Sequence, residues 1–324
     1  MTFKLDLIDR RILYELDKNC RISDNKLAKL VNRSRESVRN RIKKMQNQGI
    51  ITEFLTALNP AKAGYLFYKL YLQLRNNPKE RKEFFNFLHN HKGMYWYGTN
   101  DGVWDCHMTI FAKNPHEFND IKNEIYRKFK NLIIKRDIGQ LVKTRQYPKK
   151  YLLDKTQKIG EIEEKYFAGD VEHEKIDELD IKIMMFLTHN ARASLVDISK
   201  NVDSTIDIVR ARIKKLEEKK IIIQYRIAVD QSKIGYILFK SFIYFDSISE
   251  EDKMKFIEYA KNSRNIVYFI EQVSSWEFEI ELLVESYEEF LDIMNELRLM
   301  FQDCLRNYEF CLMKDDILVY QIFE

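Results

Sequence analysis

Residues that break regular structure are rare in this chain: there are 9 glycines and 4 prolines in 324 positions. That shortage excludes long flexible or low-complexity tracts. Cysteine is scarce too. Cys20, Cys106, Cys304 and Cys311 stand at no metal-ligand or redox spacing, and four free thiols in a chain this size suit a reducing compartment. No window approaches the roughly 18 consecutive apolar residues of a membrane span, and the start lacks the apolar core of a signal peptide. A cytoplasmic protein with no membrane partner is expected. Catalytic motifs are missing as well: no glycine-rich phosphate loop, nucleophile elbow or paired-carboxylate motif occurs. The six histidines offer little, because His89-x-His91 falls at a helix end, His107 falls on a strand, and neither has an acidic or cysteine partner at metal spacing. No metal, cofactor or catalytic residue is assigned, and an enzyme is not expected.

What the chain does contain is itself, twice. Sliding the sequence by 171 positions aligns Leu5 to Leu72 with Ile176 to Ile243 without a gap, with roughly a third of the pairs identical. Asp9 pairs with Asp180, Asn19-x-Arg21 with Asn190-x-Arg192, and Val38-Arg39-x-Arg41-Ile42-Lys43-Lys44 with Val209-Arg210-x-Arg212-Ile213-Lys214-Lys215. After a one-residue slip the match resumes at Trp104-Asp105 against Trp276-Glu277. The chain is a tandem duplication of a domain-scale unit.

Within the first copy, Ile8, Ile12 and Leu16 recur at helical spacing behind the cap Asp6. Ser23 caps a short second helix and Ser34 a third, on which Val38, Ile42 and Met45 form the buried stripe. Gly49 ends that helix, and an extended segment begins at Ile50. Three short helices followed by a hairpin make a winged helix-turn-helix. The remainder changes period: Tyr65 to Leu74 alternates as a strand, Lys79 to Asn90 is helical, and Met94 to Thr99 and Val103 to Ala112 are strands joined by a tight turn at Asn100-Asp101-Gly102. A helix from Pro115 and a strand from Ile133 to Arg145 complete a βαββαβ, ferredoxin-like α+β sandwich.

Leu5-Asp6-x-x-Asp9-x-x-Ile12-Leu13, Asn19-x-Arg21-x-Ser23, Arg41 in the third helix and Gly102-x-Trp104-Asp105 at the central hairpin together resemble the leucine-responsive/asparagine-regulator (Lrp/AsnC) family. The resemblance covers nearly the whole chain, twice. It implies a DNA-binding winged helix-turn-helix at 1–60, a RAM-like sandwich at 61–147, a linker at 148–175, a second winged helix-turn-helix at 176–231 and a second RAM-like sandwich at 232–324. In this family RAM units pair back to back and bind amino acids or related small effectors. On that resemblance Gly98, Thr99, Asn100, Asp101 and Asp105 would line an effector pocket, supplying acceptors for an ammonium and backbone donors for a carboxylate.

Charge separates the two copies. Residues 1–60 carry 13 basic and 7 acidic side chains, residues 172–231 carry 11 of each, residues 61–171 are net +8 and residues 232–324 net −10. Opposite charge favours contact of the first half with the second, and so an intramolecular RAM pseudo-dimer, with further homo-oligomers open. The partner implied is double-stranded DNA, read by unequal heads. In the first head Arg35, Glu36, Arg39 and Asn40 suit base edges, arginine matching guanine and asparagine adenine. Ser34, Ser37, Arg41, Lys43 and Lys44 suit phosphates, although Arg41 and its counterpart Arg212 lie at the edge of the buried stripe and equally suit structural ion pairs. In the second head Thr205, Arg210, Arg212, Lys214 and Lys215 remain for backbone contact, while Asp207, Ile208 and Ala211 replace Glu36, Ser37 and Asn40. The leading expectation is a sequence-specific transcription regulator, responsive to an amino-acid-like effector. Two alternatives stand beside it. Siroheme decarboxylases look similar in architecture, with histidine and arginine in the RAM-like cavity, parts that only His107, His89 or His91 could take here. The other is an effector-sensing adaptor without DNA binding.

Overall fold

The computed structural model describes residues 3–154 and 162–319. In each copy three helices come first: α1 (Leu7–Lys18), α2 (Asp24–Leu30) and α3 (Arg35–Asn47) in the first, α6 (Glu178–Thr188), α7 (Leu195–Asn201) and α8 (Ile206–Glu218) in the second. Side chains expected to cap them do so. Asp6 accepts from the Asp9 amide at 2.8 Å, Ser34 from Ser37 at 3.2 Å and Thr205 from Ile208 at 3.3 Å, satisfying amides that the helix itself leaves free. Val38, Ile42 and Met45 are buried, as are Val209, Ile213 and Leu216.

The expected wing hairpin is not formed within either copy. One strand follows each third helix, β1 (Ile51–Leu58) and β7 (Ile222–Val229), and the two pair with each other antiparallel, Phe54 opposite Ile227. A single strand with a hydrophobic face cannot satisfy its own edge, and its duplicate offers the matching one. The result is a ribbon that ties head to head.

Each copy then builds its sandwich: β2 (Leu66–Leu74), α4 (Pro78–His89), β3 (Met94–Gly102), β4 (Cys106–Ala112), α5 (Pro115–Lys128) and β5 (Ile133–Gln146) in the first. The second contributes β8 (Ile237–Phe245), α9 (Glu250–Asn262), β9 (Ile266–Val273), β10 (Phe278–Val284), α10 (Tyr287–Met300) and β11 (Leu305–Leu318). Their strands run in the order β2-β4-β3-β11-β8-β10-β9-β5, and β5 pairs back onto β2, so eight strands close into one barrel shared by both halves. Strands β11 and β5 make the closure, each pairing its own sandwich with one end and the other sandwich with the other end. The union is therefore a backbone ladder as well as a charge match.

One further expectation is corrected. Asn100, Asp101 and Gly102 are not the turn: they extend β3 and pair with Met313, Leu312 and Cys311 of β11, and the chain reverses at 103–105. Hydrogen bonding across to the other copy outweighs their turn preference. Within 148–175, Tyr151 and Leu152 are buried and β6 (Lys165–Ala168) pairs beside β5. On every barrel strand alternate residues face two cores. Tyr68, Leu70 and Leu72 pack under α4 and α5, and Phe278, Ile280 and Leu282 under α9 and α10, while their neighbours Lys69, Tyr71, Glu279 and Glu281 face inward.

Candidate nucleic-acid interface and the barrel interior

The third helix of the first head leaves Arg35, Glu36, Arg39, Asn40, Lys43 and Lys44 exposed, with Ser34 at its tip and Ser37 half-buried. Arg39 touches Asp24 of its own head at 3.3 Å while staying 61% exposed. Arg41 behaves differently. Its Nη1 lies 2.7 Å from both Asp6 and Asp9, clamping α3 to the start of α1, and these carboxylates hold the guanidinium pKa above its usual value. Arg212 repeats the clamp on Asp177 and, at 3.2 Å, on buried Asp180, which Lys215 also reaches at 3.1 Å. The structure thus places Arg41, Arg212 and Lys215 in ion pairs within their heads.

Head two presents a poorer face. Ile206 and Ile208 are exposed where the first head has Arg35 and Ser37, Ala211 stands for Asn40, Arg210 is paired with Asp207, and Lys214 lies 3.6 Å from Glu218. Unpaired cationic reach is concentrated on the first head.

The repeated Asn19-x-Arg21 and Asn190-x-Arg192 join the two heads. Arg21 donates to the Ala191 carbonyl at 2.6 Å and lies over the Tyr225 ring, while Arg192 donates to Asp24 at 2.8 Å and lies over Phe54. Backbone bonds Cys20 N to Tyr225 O and Ala191 N to Phe54 O, both 2.9 Å, complete the two-fold joint. Between the heads this leaves a cleft of about 420 Å³ into which Arg21, Arg35, Arg39 and Arg192 project. The only cue in the sequence was the recurrence of an arginine after each turn, which does not name its distant partner.

Inside the barrel the charges are paired across the halves. Glu279 is fully buried and receives the Lys69 ammonium, the Tyr71 hydroxyl, Lys240 at 3.0 Å, Gln272 at 2.8 Å and the Trp276 indole at 3.2 Å. Burial opposes its ionisation, but Lys240 and Lys69 outweigh that and hold its carboxyl well below the usual range. His107, its counterpart in the first copy, is also fully buried, with its ring 4.8 Å from Trp96 and its Nδ1 2.7 Å from Asn100. Burial first, then the two ammoniums, pushes its pKa down, so it is neutral.

Each of the five residues of the expected effector pocket lies against neighbours of its own. Asp105 accepts from the Leu74 amide at 2.8 Å and pairs with Arg81, Asp101 pairs with Lys314 at 2.6 Å, Thr99 donates to Asp315, Asn100 meets His107, and Gly98 lies under Trp96 and His107. A cavity of about 100 Å³ lies at the barrel, lined by other residues, Lys69, Thr109, Thr144 and Lys240 among them.

A sequence model of the AsnC-type helix-turn-helix domain matches residues 5–46 and 176–217, one in each copy. An uncharacterised HTH-type transcriptional regulator of Pyrococcus furiosus is 31% identical over 116 residues, covering 36% of this chain and 78% of its own length. The chain belongs to the Lrp/AsnC family. Within that family the HTH-type transcriptional regulator LrpB of Bacillus subtilis is 29% identical over 153 residues, 44% of this chain and 99% of LrpB. One such relative therefore spans about half of the duplicated chain. For the full tandem arrangement, a solved structure of the siroheme decarboxylase NirDL superposes with a TM-score of 0.61 over 95% of this chain and 91% of NirDL at 11% identity, a likeness of fold.

Proposed function

We propose that this Lrp/AsnC protein is a DNA-binding transcription regulator whose two unlike heads read an asymmetric site, with the first head supplying the sequence-specific half. One observation carries the reading: Arg35, Asn40 and Lys43 stand exposed on α3 beside Arg39, which touches Asp24, with Arg35 and Arg39 at the mouth of a cleft that also holds Arg21 and Arg192, while the matching positions of α8 are isoleucine, alanine, and an arginine and a lysine that are both paired. Cations on a groove-sized helix supply phosphate attraction, and arginine and asparagine supply base contacts. Glu36 sits among them as an acceptor for cytosine. Ser34, Ser37 and Lys44 flank them as phosphate contacts. On the second head Thr205, Arg210 and Lys214 would touch backbone only. The test is selection of bound duplexes from a random DNA pool by the full chain. An enriched site with one strong and one weak half is expected, and a symmetric palindrome or no enrichment would overturn the proposal.

A second reading, an enzyme acting on a tetrapyrrole, draws on the likeness of fold to NirDL, and the barrel interior gives it little support. His107 is sealed between Tyr71 and Trp96 and does not line the cavity, which at about 100 Å³ is well below the roughly 300–1,000 Å³ of sites for larger ligands. His89 and His91 lie at the end of α4, where His91 and His116 line a groove of about 1370 Å³ between α4 and α5, while the groove beside the ribbon, about 790 Å³, is lined by no histidine or cysteine. Adding siroheme should leave its Soret band unshifted.

A further inference from the structure

The outward tips of the two heads differ in one consistent direction. Where head one carries Asn25, Arg35, Ser37 and Asn40, the matching positions of head two hold Val196, Ile206, Ile208 and Ala211. All four are exposed, Val196 at 44%, Ile206 at 38% and Ile208 at 46%. A single exposed aliphatic side chain is ordinary, but several that replace polar groups on one tip mark a contact surface.

The parts that present this tip are kept. Thr205 caps α8, Arg212 and Lys215 tie it to Asp180 of α6, and Arg21 and Arg192 join the heads. Val209, Ile213 and Leu216 are buried as their counterparts on α3 are. The frame of a reading helix is thus intact, and only the reading surface has changed character. Its charge is balanced from within. In head one Arg39 reaches Asp24, but the counterpart of Asp24 is Leu195, so Arg210 turns to Asp207 at 2.5 Å on its own helix.

The chemistry of the major groove limits what such a tip can recognise. Base pairs show hydrogen-bond donors and acceptors there, together with one apolar group, the C5-methyl of thymine. An isoleucine set against the polar edge of a G·C pair strips water from it and returns no bond, whereas against the methyl it buries apolar surface. Paired helix-turn-helix modules place their third helices in successive major grooves of one duplex.

We propose that the second head reads thymine. Ile206 and Ala211, at the positions of Arg35 and Asn40, pack on thymine C5-methyl groups in the weak half of the site, while Thr205, Arg210 and Lys214 hold the backbone. Val196 stands beside Ile206 as Asn25 stands beside Arg35 on the wall of the cleft in head one. The weak half is then biased towards thymine instead of blind to sequence. This assignment rests on the DNA-binding function proposed above and names what its second half recognises.

Filter binding of the full chain to the selected duplex tests it, with each thymine of the weak half exchanged in turn for deoxyuridine, which lacks the C5-methyl alone. At one position or more the affinity should fall about fourfold, the worth of one buried methyl. Cytosine placed there should bind weakly, and 5-methylcytosine should recover part of the loss. Ile206→Ala should bind the thymine and uracil duplexes alike at the position Ile206 contacts. Ile206→Arg, which restores the residue of head one, should prefer guanine there when the pool is selected again. Ile206 lies outside the buried stripe of α8, so both variants should melt as the native chain does. Indifference to the methyl at every thymine of the weak half, or a uracil penalty undiminished at every position in Ile206→Ala, would overturn the assignment. Indifference joined to self-association that Ile206→Lys abolishes would overturn it too and give the patch to a second copy of the chain. No enriched duplex, or a symmetric one, removes the asymmetric regulator and this assignment together; an asymmetric duplex with a methyl-indifferent weak half removes this assignment alone.

Discussion

Lys240 reaches Glu279 at 3.0 Å from within its own half of the chain, and Lys69, 171 positions earlier, reaches the same carboxylate from the other half. The lysine is repeated by the duplication, but the carboxylate is not: its counterpart in the first copy is His107, and that of Glu281 is Thr109. Lys240 is neutralised within its own half, by Glu279 and Glu281, whereas Lys69 is neutralised only when the halves close on each other. Glu279→Gln leaves Lys69 uncompensated and Lys240 with Glu281 alone, and the expected loss is about 3–5 kcal/mol in urea unfolding of the full chain. A loss below about 1 kcal/mol would mean that the lysines find other partners.

Lys150 provides a pH signature. It is fully buried, its ammonium donating to the Lys261 carbonyl, and burial, with Arg264 adding repulsion, pushes its pKa down to about 7. In the unfolded chain a lysine titrates near 10.4. Between about 7 and about 10.4 the unfolded chain therefore binds more protons than the folded one, and stability rises with pH. Lys150→Met should flatten that rise, narrowing the gain between pH 7 and 9 by roughly 2–3 kcal/mol. Parallel curves for native and variant proteins would count against this placement.

Arg39 and Arg41 are two positions apart and are expected to fail in different ways. Arg41→Ala removes the clamp on Asp6 and Asp9 and should lower stability by about 1 kcal/mol while leaving the salt dependence of DNA binding nearly intact. Arg39→Ala should do the reverse, with little change in melting and a salt slope reduced by about one. Arg212→Ala should resemble Arg41→Ala, because it repeats the contact.

The heads can be compared directly. Arg39→Ala with Lys43→Ala should weaken filter binding and its salt slope more than Arg210→Ala with Lys214→Ala, since both members of the second pair already spend charge, on Asp207 and Glu218, and only Arg39 of the first does, on Asp24. Equal losses would argue for equal heads.

Much of the architecture was legible because it depends on local rules. Helix caps at Asp6, Ser34 and Thr205 and the buried stripes behind them follow from spacing, and the βαββαβ order follows from a change of period between Leu58 and Leu66. The wing hairpin was misread because one strand's partner lies about 170 residues away, and the turn at Asn100-Asp101-Gly102 was misread because β11 supplies hydrogen bonds that turn preference cannot foresee. Arg41 and Arg212 were ambiguous for the same reason: their charge is local, whereas the aspartates that claim it sit on another helix.

The duplication, the helix boundaries and the surplus of cations on the first head are properties of neighbours along the chain, and the sequence determined them unaided. Tertiary structure alone decided that β5 and β11 would cross over to close a barrel, that Lys69 and Lys240 would share Glu279, and that Thr144 would face a cavity with no partner of its own. Such outcomes depend on which backbone edges and which buried charges meet once the halves fold together, and no local pattern encodes a meeting between residues so far apart.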